Sequence, residues 1–311
     1  DHWVADRAID FVQAKESSPF FLWTSFIGPH DPINPPQPFD TMYSSDDVPA
    51  PLPIVDRESQ ILNLQSQHLF GPDRGFVQPD ENAMRRHNAH YFGSVTFLDQ
   101  QVGRLLDSID AAGLSENTYI VFTTDHGEML WDFGLREKGP WPYEQSLRVP
   151  LMIAGPGVRA GDCCDQLTSL VDLAPTFLDW AIGEDFHRDQ QGVSLAEVCR
   201  QQPQQALREF AIAEFGHTIK IVRDHRYTYA YYPGRGVAEL YDRQQDPQQK
   251  QNLTRMPEIA DIENQRLKQI IEFMVQCQPF WYEAKDITSD FAEGTRRYRQ
   301  RFAPRRDELR S

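Results

Sequence analysis

The sequence has no apolar run of the ~18 to 20 residues that a membrane-spanning helix requires. The longest candidate, Phe20 to Ile27, has the length of a strand, so a transmembrane chain is excluded. Cysteine is scarce. Cys163, Cys164, Cys199 and Cys277 are the four in 311 residues, and they show neither zinc-site spacing nor the density of a disulfide scaffold. Positive charge is also in deficit: 31 lysines and arginines face 46 aspartates and glutamates, and the net charge of −15 argues against a general nucleic-acid binder. There is no internal repeat, and no signal-peptide pattern opens the chain. It begins at Asp1 rather than methionine, so its natural N-terminus is either processed or absent from the sequence.

The composition is otherwise globular, with 40% hydrophobic, 12% aromatic and 25% charged residues, which excludes wholesale disorder, collagen-like and coiled-coil chains. The length suits a large α/β domain, or a large domain with a smaller one. Charge is uneven. Residues 295 to 311 carry seven arginines against Asp307 and Glu308, a local +5 that reads as a solvated terminus.

Periodicity orders the rest. Asp1 to Lys15 places Val4, Ala8, Phe11 and Val12 on one helical face, and Phe20 to Phe26 reads as a buried strand ended by Gly28-Pro29. Seven prolines between Pro32 and Pro53 mark a long surface excursion. The clearest helix has Tyr91, Val95, Leu98, Val102, Leu105 and Ile109 on one stripe, with Gly113 beyond it. Tyr119 to Thr123 and Val149 to Ala154 read as strands of a parallel sheet covered by helices, and Leu167 to Ile182 as a helix. From about residue 205 four short strands (210 to 215, 218 to 223, 227 to 232 and 237 to 241) precede a helix from Pro257 to Gln276. The expected layout is an α/β unit over 1–204, an antiparallel-sheet-plus-helix α+β subdomain over 205–285, and an arginine-rich tail over 286–311.

Chemistry gathers past the carboxyl ends of strands in open parallel sheets. His30-Asp31 follows the first expected strand and Asp125-His126-Gly127-Glu128 the second. Asp125 and His126 offer an oxygen and a nitrogen to one divalent cation if Gly127 lets both converge; alone, such a pair is more often a turn feature. Glu128 fits a supporting role better than a ligand's. His30, between prolines, is held in place to donate or act as an acid, although most loop histidines merely bond a carbonyl. Lys138 offers a compact cation for a tetrahedral oxyanion. Trp131, Trp141 and Tyr143 surround it; Trp141 is a candidate floor for a substrate, against plain packing under the loop.

In combination these segments carry a resemblance. Residues 20 to 32 (FFLWTSFIGPHDP), 95 to 106 (VTFLDQQVGRLL), 117 to 128 (NTYIVFTTDHGE), Lys138-Gly139 and 143 to 151 (YEQSLRVPL) closely resemble the sulfatase family of the alkaline-phosphatase-like superfamily. So do 171 to 176 (VDLAPT), 239 to 242 (ELYD), Asp246-Pro247 and Asn252-Leu253, and the similarity runs from residue 1 to about 276. It implies an alkaline-phosphatase-like fold with a mostly parallel sheet flanked by helices, incomplete here. It implies a sulfuric ester hydrolase acting on an aryl or sugar sulfate. Asp125 and His126 would be metal ligands, His126 standing where many relatives have asparagine, and the metal would be Ca2+, with Mg2+ or Mn2+ as alternatives. His30 and Lys138 would contact the sulfate and stabilise the departing oxygen. A periplasmic or secreted location is favoured over a cytoplasmic one.

The departures are equally informative. Phe133 stands where many bacterial relatives carry histidine. The family's nucleophile is a formylglycine made in a Cys/Ser-x-Pro-x-Arg signature, and none is present: Cys163 leads to Cys-Asp, Cys164 to Asp-Gln, Cys199 to Arg-Gln, Cys277 to Gln-Pro, and Ser17-Ser18-Pro19-Phe20 lacks the arginine. The family's paired N-terminal aspartates and its second lysine and histidine also precede the matched region. The chain is therefore expected to be the C-terminal portion of a sulfatase, lacking ~150 to 200 residues, inactive and poorly folded alone. A phosphonate or phosphate ester hydrolase or transferase of the same superfamily is the alternative enzyme, and a non-catalytic pseudoenzyme or binding module the alternative of another class.

Overall fold

A computed structural model describes residues 1–14, 19–53, 79–183, 191–201, 205–216, 218–254 and 256–277. The arginine-rich tail lies outside the described residues. The described helices are α1 (His2–Gln13), α2 (Glu81–Ala111), α3 (Glu144–Leu147), α4 (Leu173–Ile182), α5 (Ala196–Arg200) and α6 (Ala260–Gln276). The strands are β1 (Ile120–Thr123), β2 (Leu151–Ala154), β3 (Ala211–Phe215), β4 (Ile219–Arg223), β5 (Tyr227–Tyr232) and β6 (Val237–Asp242).

Helix α1 buries Ala5, Ala8 and Val12 against α2, and Asp6 meets Arg104 of α2 at 2.7 Å. The small residues let the two helices approach, while Phe11 stays partly exposed and stacks edge-on against Phe20 at 5.7 Å. Helix α2 starts where the Asp80 carboxylate accepts the Ala83 N–H at 2.7 Å, satisfying one otherwise orphaned first-turn donor.

Two expectations change. The segment 20 to 26 is not a ladder strand: Leu22, Thr24 and Phe26 are half-buried, whereas Phe21 and Trp23 are 67% and 68% exposed. It keeps the period-two alternation of an extended chain, but no described strand pairs with it. Second, β1 and β2 pair antiparallel, Ile120 opposite Ala154 and Thr123 opposite Leu151. A parallel pair needs a crossover across the sheet. Between β1 and β2 the described chain holds only the four-residue α3 and a 3-10 turn, so it returns in the opposite direction.

Strands β3 to β6 form an antiparallel meander in chain order. Alternation buries both faces. Val222, Tyr229 and Leu240 pack against Ile270 of α6, and Ile219, Ile221, Ala230 and Tyr232 pack against Leu147 of α3. A third core unites Met129, Phe133, Leu135, Trp141 and Tyr143 with Tyr241 of β6. It lies under the loop from Gly127 to Tyr143, which carries Lys138 and follows directly on Asp125-His126.

Candidate active site

Strand β1 ends at Thr123, and the chain turns through Asp125, His126 and Gly127. The Asp125 carboxylate accepts the His126 N–H at 3.0 Å and the Thr124 hydroxyl at 3.3 Å, and its side chain is 82% exposed. His126 Nδ1 lies 2.9 Å from the Gly127 carbonyl. A carbonyl only accepts, so Nδ1 carries the hydrogen and the Nε2 lone pair is available for a ligand. That Nε2 is 3.6 Å from Asp125 Oδ2, a separation one divalent cation can bridge with ordinary bonds of about 2.0 to 2.6 Å. The pair fits part of a metal shell. Among the described residues no group of three or more His, Cys, Asp or Glu side chains gathers into one.

His30 is brought beside this pair. Its Nδ1 is 2.8 Å from the Asp31 carbonyl, which again places the hydrogen on Nδ1, and Nε2 lies 2.7 Å from Lys138 Nζ, whose ammonium donates. The rings of His30 and His126 meet edge-to-face with centroids 6.1 Å apart. Residues 96 and 108 positions apart in sequence thus share one corner. Its polar atoms are two imidazoles, a carboxylate and an ammonium.

The loop that delivers Lys138 is bent against its own preferences. Leu130, Trp131, Phe133 and Glu137 all have positive φ, from 47° to 72°, a region costly for residues with a Cβ. Burial of Met129, Phe133 and Leu135 in the core beneath, with no exposed surface, holds them there. Polar groups inside the loop complete the restraint. The Glu128 carboxylate accepts the N–H groups of Leu130 at 3.3 Å and Glu137 at 2.5 Å. Burial pushes its pKa up, and the two N–H donors pull partly the other way. Asp132, also raised by burial, accepts from Leu52 N–H and from Gln145 Nε2, both at 2.7 Å. Tyr91 of α2 is pushed up to about 12 by burial and by the neighbouring Glu128 charge.

Trp141 does not floor the site. It is 2% exposed, sits in the core, and its indole lies against Gly139, where any Cβ would collide with the ring at 1.8 Å. Packing under the loop is its role. Phe133 is likewise fully buried rather than facing a substrate. Residues the sequence reading left unassigned join the corner from behind. Asp31 Oδ2 meets Arg136 Nη2 at 3.4 Å, His87 Nε2 lies 3.8 Å from Asp31 Oδ1, and the Trp131 indole N–H donates to His87 Nδ1 at 3.2 Å. Asp31, next to His30, and Arg136, two residues before Lys138, were within reach of sequence reasoning. His87 carried no such signal, because it lies one turn before Tyr91 on a helix whose stripe reads as packing.

The fold is alkaline-phosphatase-like, as its likeness to solved structures shows. A solved structure, the phosphonate monoester hydrolase SpPMH from Silicibacter pomeroyi, superposes with a TM-score of 0.78 at 23% identity, over 89% of this chain and 60% of that one. The likeness shows the fold. The sequence profile described as Sulfatase matches residues 1–184, and the profile described as N-sulphoglucosamine sulphohydrolase, C-terminal, matches 132–276. The chain belongs to the sulfatase family. It is 32% identical to an arylsulfatase of Clostridium perfringens over 273 residues, 84% of this chain and 54% of that protein. It is also 32% identical to a choline-sulfatase of Rhizobium meliloti over 249 residues, 77% of this chain and 47% of that one. The chain spans about half the length of these curated relatives.

Proposed function

We propose that this chain carries part of the active site of a sulfatase that releases sulfate from an aryl or sugar sulfate ester. The observation that carries the reading is the 2.7 Å approach of His30 Nε2 to Lys138 Nζ beside the Asp125–His126 pair, inside the region matched by the sulfatase profile. In this reading Lys138 offsets the negative charge of the bound ester. His30, its Nδ1 hydrogen committed to the Asp31 carbonyl and its Nε2 accepting from Lys138, orients the ammonium whose proton the departing alkoxide takes up. Asp125 and the free Nε2 of His126 would hold a divalent cation, Ca2+ first among the hard cations that suit a carboxylate, together with ligands from elsewhere in the protein. Such a cation supplies charge neutralisation at oxygen and lowers the nucleophile's pKa. The nucleophile, a formylglycine, belongs in this reading to a part of the protein outside these residues.

A sulfate ester is supported by the relatives' names, arylsulfatase and choline-sulfatase, the aryl class by the first of them, and a sugar by the C-terminal profile described for an N-sulphoglucosamine sulphohydrolase. A periplasmic or secreted location fits an extracellular sulfatase homolog of Drosophila melanogaster, 29% identical over 188 residues. Among the described residues no helix is long and apolar enough to cross a membrane. A phosphonate or phosphate ester is the second reading, favoured by 26% identity to the multifunctional alkaline phosphatase superfamily protein PehA of Trinickia caryophylli. The test is a substrate comparison with the full-length protein, using 4-nitrophenyl sulfate, a phenylphosphonate monoester and 4-nitrophenyl phosphate with added Ca2+. The sulfate ester should give the highest kcat/KM. A higher kcat/KM on the phosphonate or phosphate would replace the first reading with the second.

A further inference from the structure

We propose that Ser146 is a positioning residue that sets the distance between the Asp125–His126 turn and Lys138, and that the C-terminal sheet holds it in place. The inference rests on the reading that these three residues belong to the site. Ser146 is buried, and both of its oxygens are used. Its hydroxyl donates to the Lys138 carbonyl at 2.8 Å, and its own carbonyl accepts the Gly127 N–H at 3.0 Å. One residue therefore ties the main chain of the candidate anion clamp to the residue that follows a candidate metal ligand. The contact with Gly127 is so close that a Cβ there would come within 1.8 Å of the Gln145 carbonyl, so α3 is wedged against the turn.

The wedge is fixed from the other side by the sheet. Glu144, the first residue of α3, pairs bidentately with Arg223 at the end of β4, one of the contacts being 3.0 Å, and Arg243 approaches the same carboxylate at 3.8 Å. The Glu144 N–H donates to the Gln249 side-chain oxygen at 2.7 Å, and the Gln249 amide donates back to the Pro142 carbonyl at 3.1 Å. Leu147 packs on the sheet face made by Ile219, Ile221, Ala230 and Tyr232. The Tyr143 hydroxyl lies 3.4 Å from that of Tyr241, which donates to the buried Glu239 at 2.6 Å. Forked, buried and reciprocal bonds of this kind fix orientation as well as contact. An active-site corner assembled from separate loops depends on such a support, because small displacements of reacting groups lower the rate steeply.

The test compares Ser146→Ala, Ser146→Thr and Arg223→Met in the full-length enzyme, with two readouts. On 4-nitrophenyl sulfate, Ser146→Ala should lower kcat by about tenfold to a hundredfold, the scale of a misplacement of up to ~1 Å, with KM changed by less than about twofold. Ser146→Thr, which keeps the hydroxyl, should recover most of the loss. Arg223→Met should lower kcat in the same direction and speed amide exchange at residues 125 to 127 and 138 to 139 at least about tenfold, while residues 91 to 108 exchange as before. Ser146→Ala with wild-type kcat, or Arg223→Met with unchanged exchange at both loops, overturns the proposal. If Ser146→Ala fails to fold, Arg223→Met carries both readouts. Lys138→Ala and Asp125→Asn run alongside: full turnover in both would defeat the site reading itself, whereas the exchange arm still reports on the link.

Discussion

Removing the Asp172 carboxylate should cost more stability than any other single truncation of a side chain near α4. Asp172 is fully buried and accepts four hydrogen bonds, from Ser169 N–H at 2.7 Å, Val193 N–H at 2.9 Å, and the two terminal nitrogens of Arg208 at 2.8 and 2.5 Å. It joins the 3-10 turn that leads into α4, the chain at Val193 just before α5, and the chain entering the C-terminal sheet. In Asp172→Ala the Arg208 guanidinium, its side chain only 14% exposed, loses its partner, and breaking a buried pair costs about 3 to 5 kcal/mol. The two freed N–H groups would each add about 1 to 3 kcal/mol if they stayed dry, but water entering the vacated volume absorbs part of this. The expected loss is about 4 to 5 kcal/mol, a large part of the roughly 5 to 15 kcal/mol that stabilises a domain. Asp172→Asn keeps the shape and one acceptor but leaves the Arg208 charge uncompensated and sets an NH2 against a donor, and should cost about 3 kcal/mol. Urea unfolding followed by tryptophan fluorescence measures both. The double variant Asp172→Ala with Arg208→Met should be more stable than Asp172→Ala alone, because no unpaired charge stays buried. A loss under about 1 kcal/mol for Asp172→Ala, at an unchanged m-value, would refute the reasoning.

Three other outcomes follow from the same contacts. Lys138→Ala should lower kcat/KM of the full-length enzyme by about two orders of magnitude or more and Lys138→Arg should restore it only in part; near-normal turnover with the fold intact would remove Lys138 from the site. Calorimetry on the 311-residue chain alone should find only weak Ca2+ binding, since two protein ligands fall short of the roughly 6 to 8 oxygens calcium takes, and a sub-micromolar site would contradict the shared-shell reading. At high pH, Tyr91 and Tyr229 are pushed up to about 12 and Tyr241 well above its usual 10.0, all chiefly by burial. Because their folded pKa values lie above the unfolded ones, their contribution to stability is fully present below pH 10 and is lost as pH rises through about 12. An absorbance titration at alkaline pH should show these phenols ionising only together with unfolding; ionisation near pH 10 in a folded chain would contradict their burial.

The sequence alone carried four of the helices (α1, α2, α4 and α6) and the meander, because their signals are local, whereas the short α3 and α5 were not read. A 3.6-residue stripe over Tyr91 to Ile109 and short β-rich runs separated by turn residues do not depend on distant partners. It also named His30, Asp125, His126 and Lys138, since those residue types stand in motifs at the ends of apolar segments. It could not decide strand partners. The run from Phe20 to Phe26 has the composition of a buried strand, but a ladder needs a second strand, and no described residue provides one; β1 and β2 pair antiparallel because the chain between them makes no crossover. Nor could it separate packing from contact with a substrate at Trp141, whose indole has the same sequence neighbours in either role and is assigned to the core only by the approach of Gly139 and Tyr241. His87 and Ser146, and the partners that Asp31 and Arg136 meet, were decided by tertiary structure alone. Their bonds join residues far apart in the chain, except for the eight-residue step from Ser146 to Lys138. Whether such pairs meet depends on how the loops cross, which no local pattern encodes.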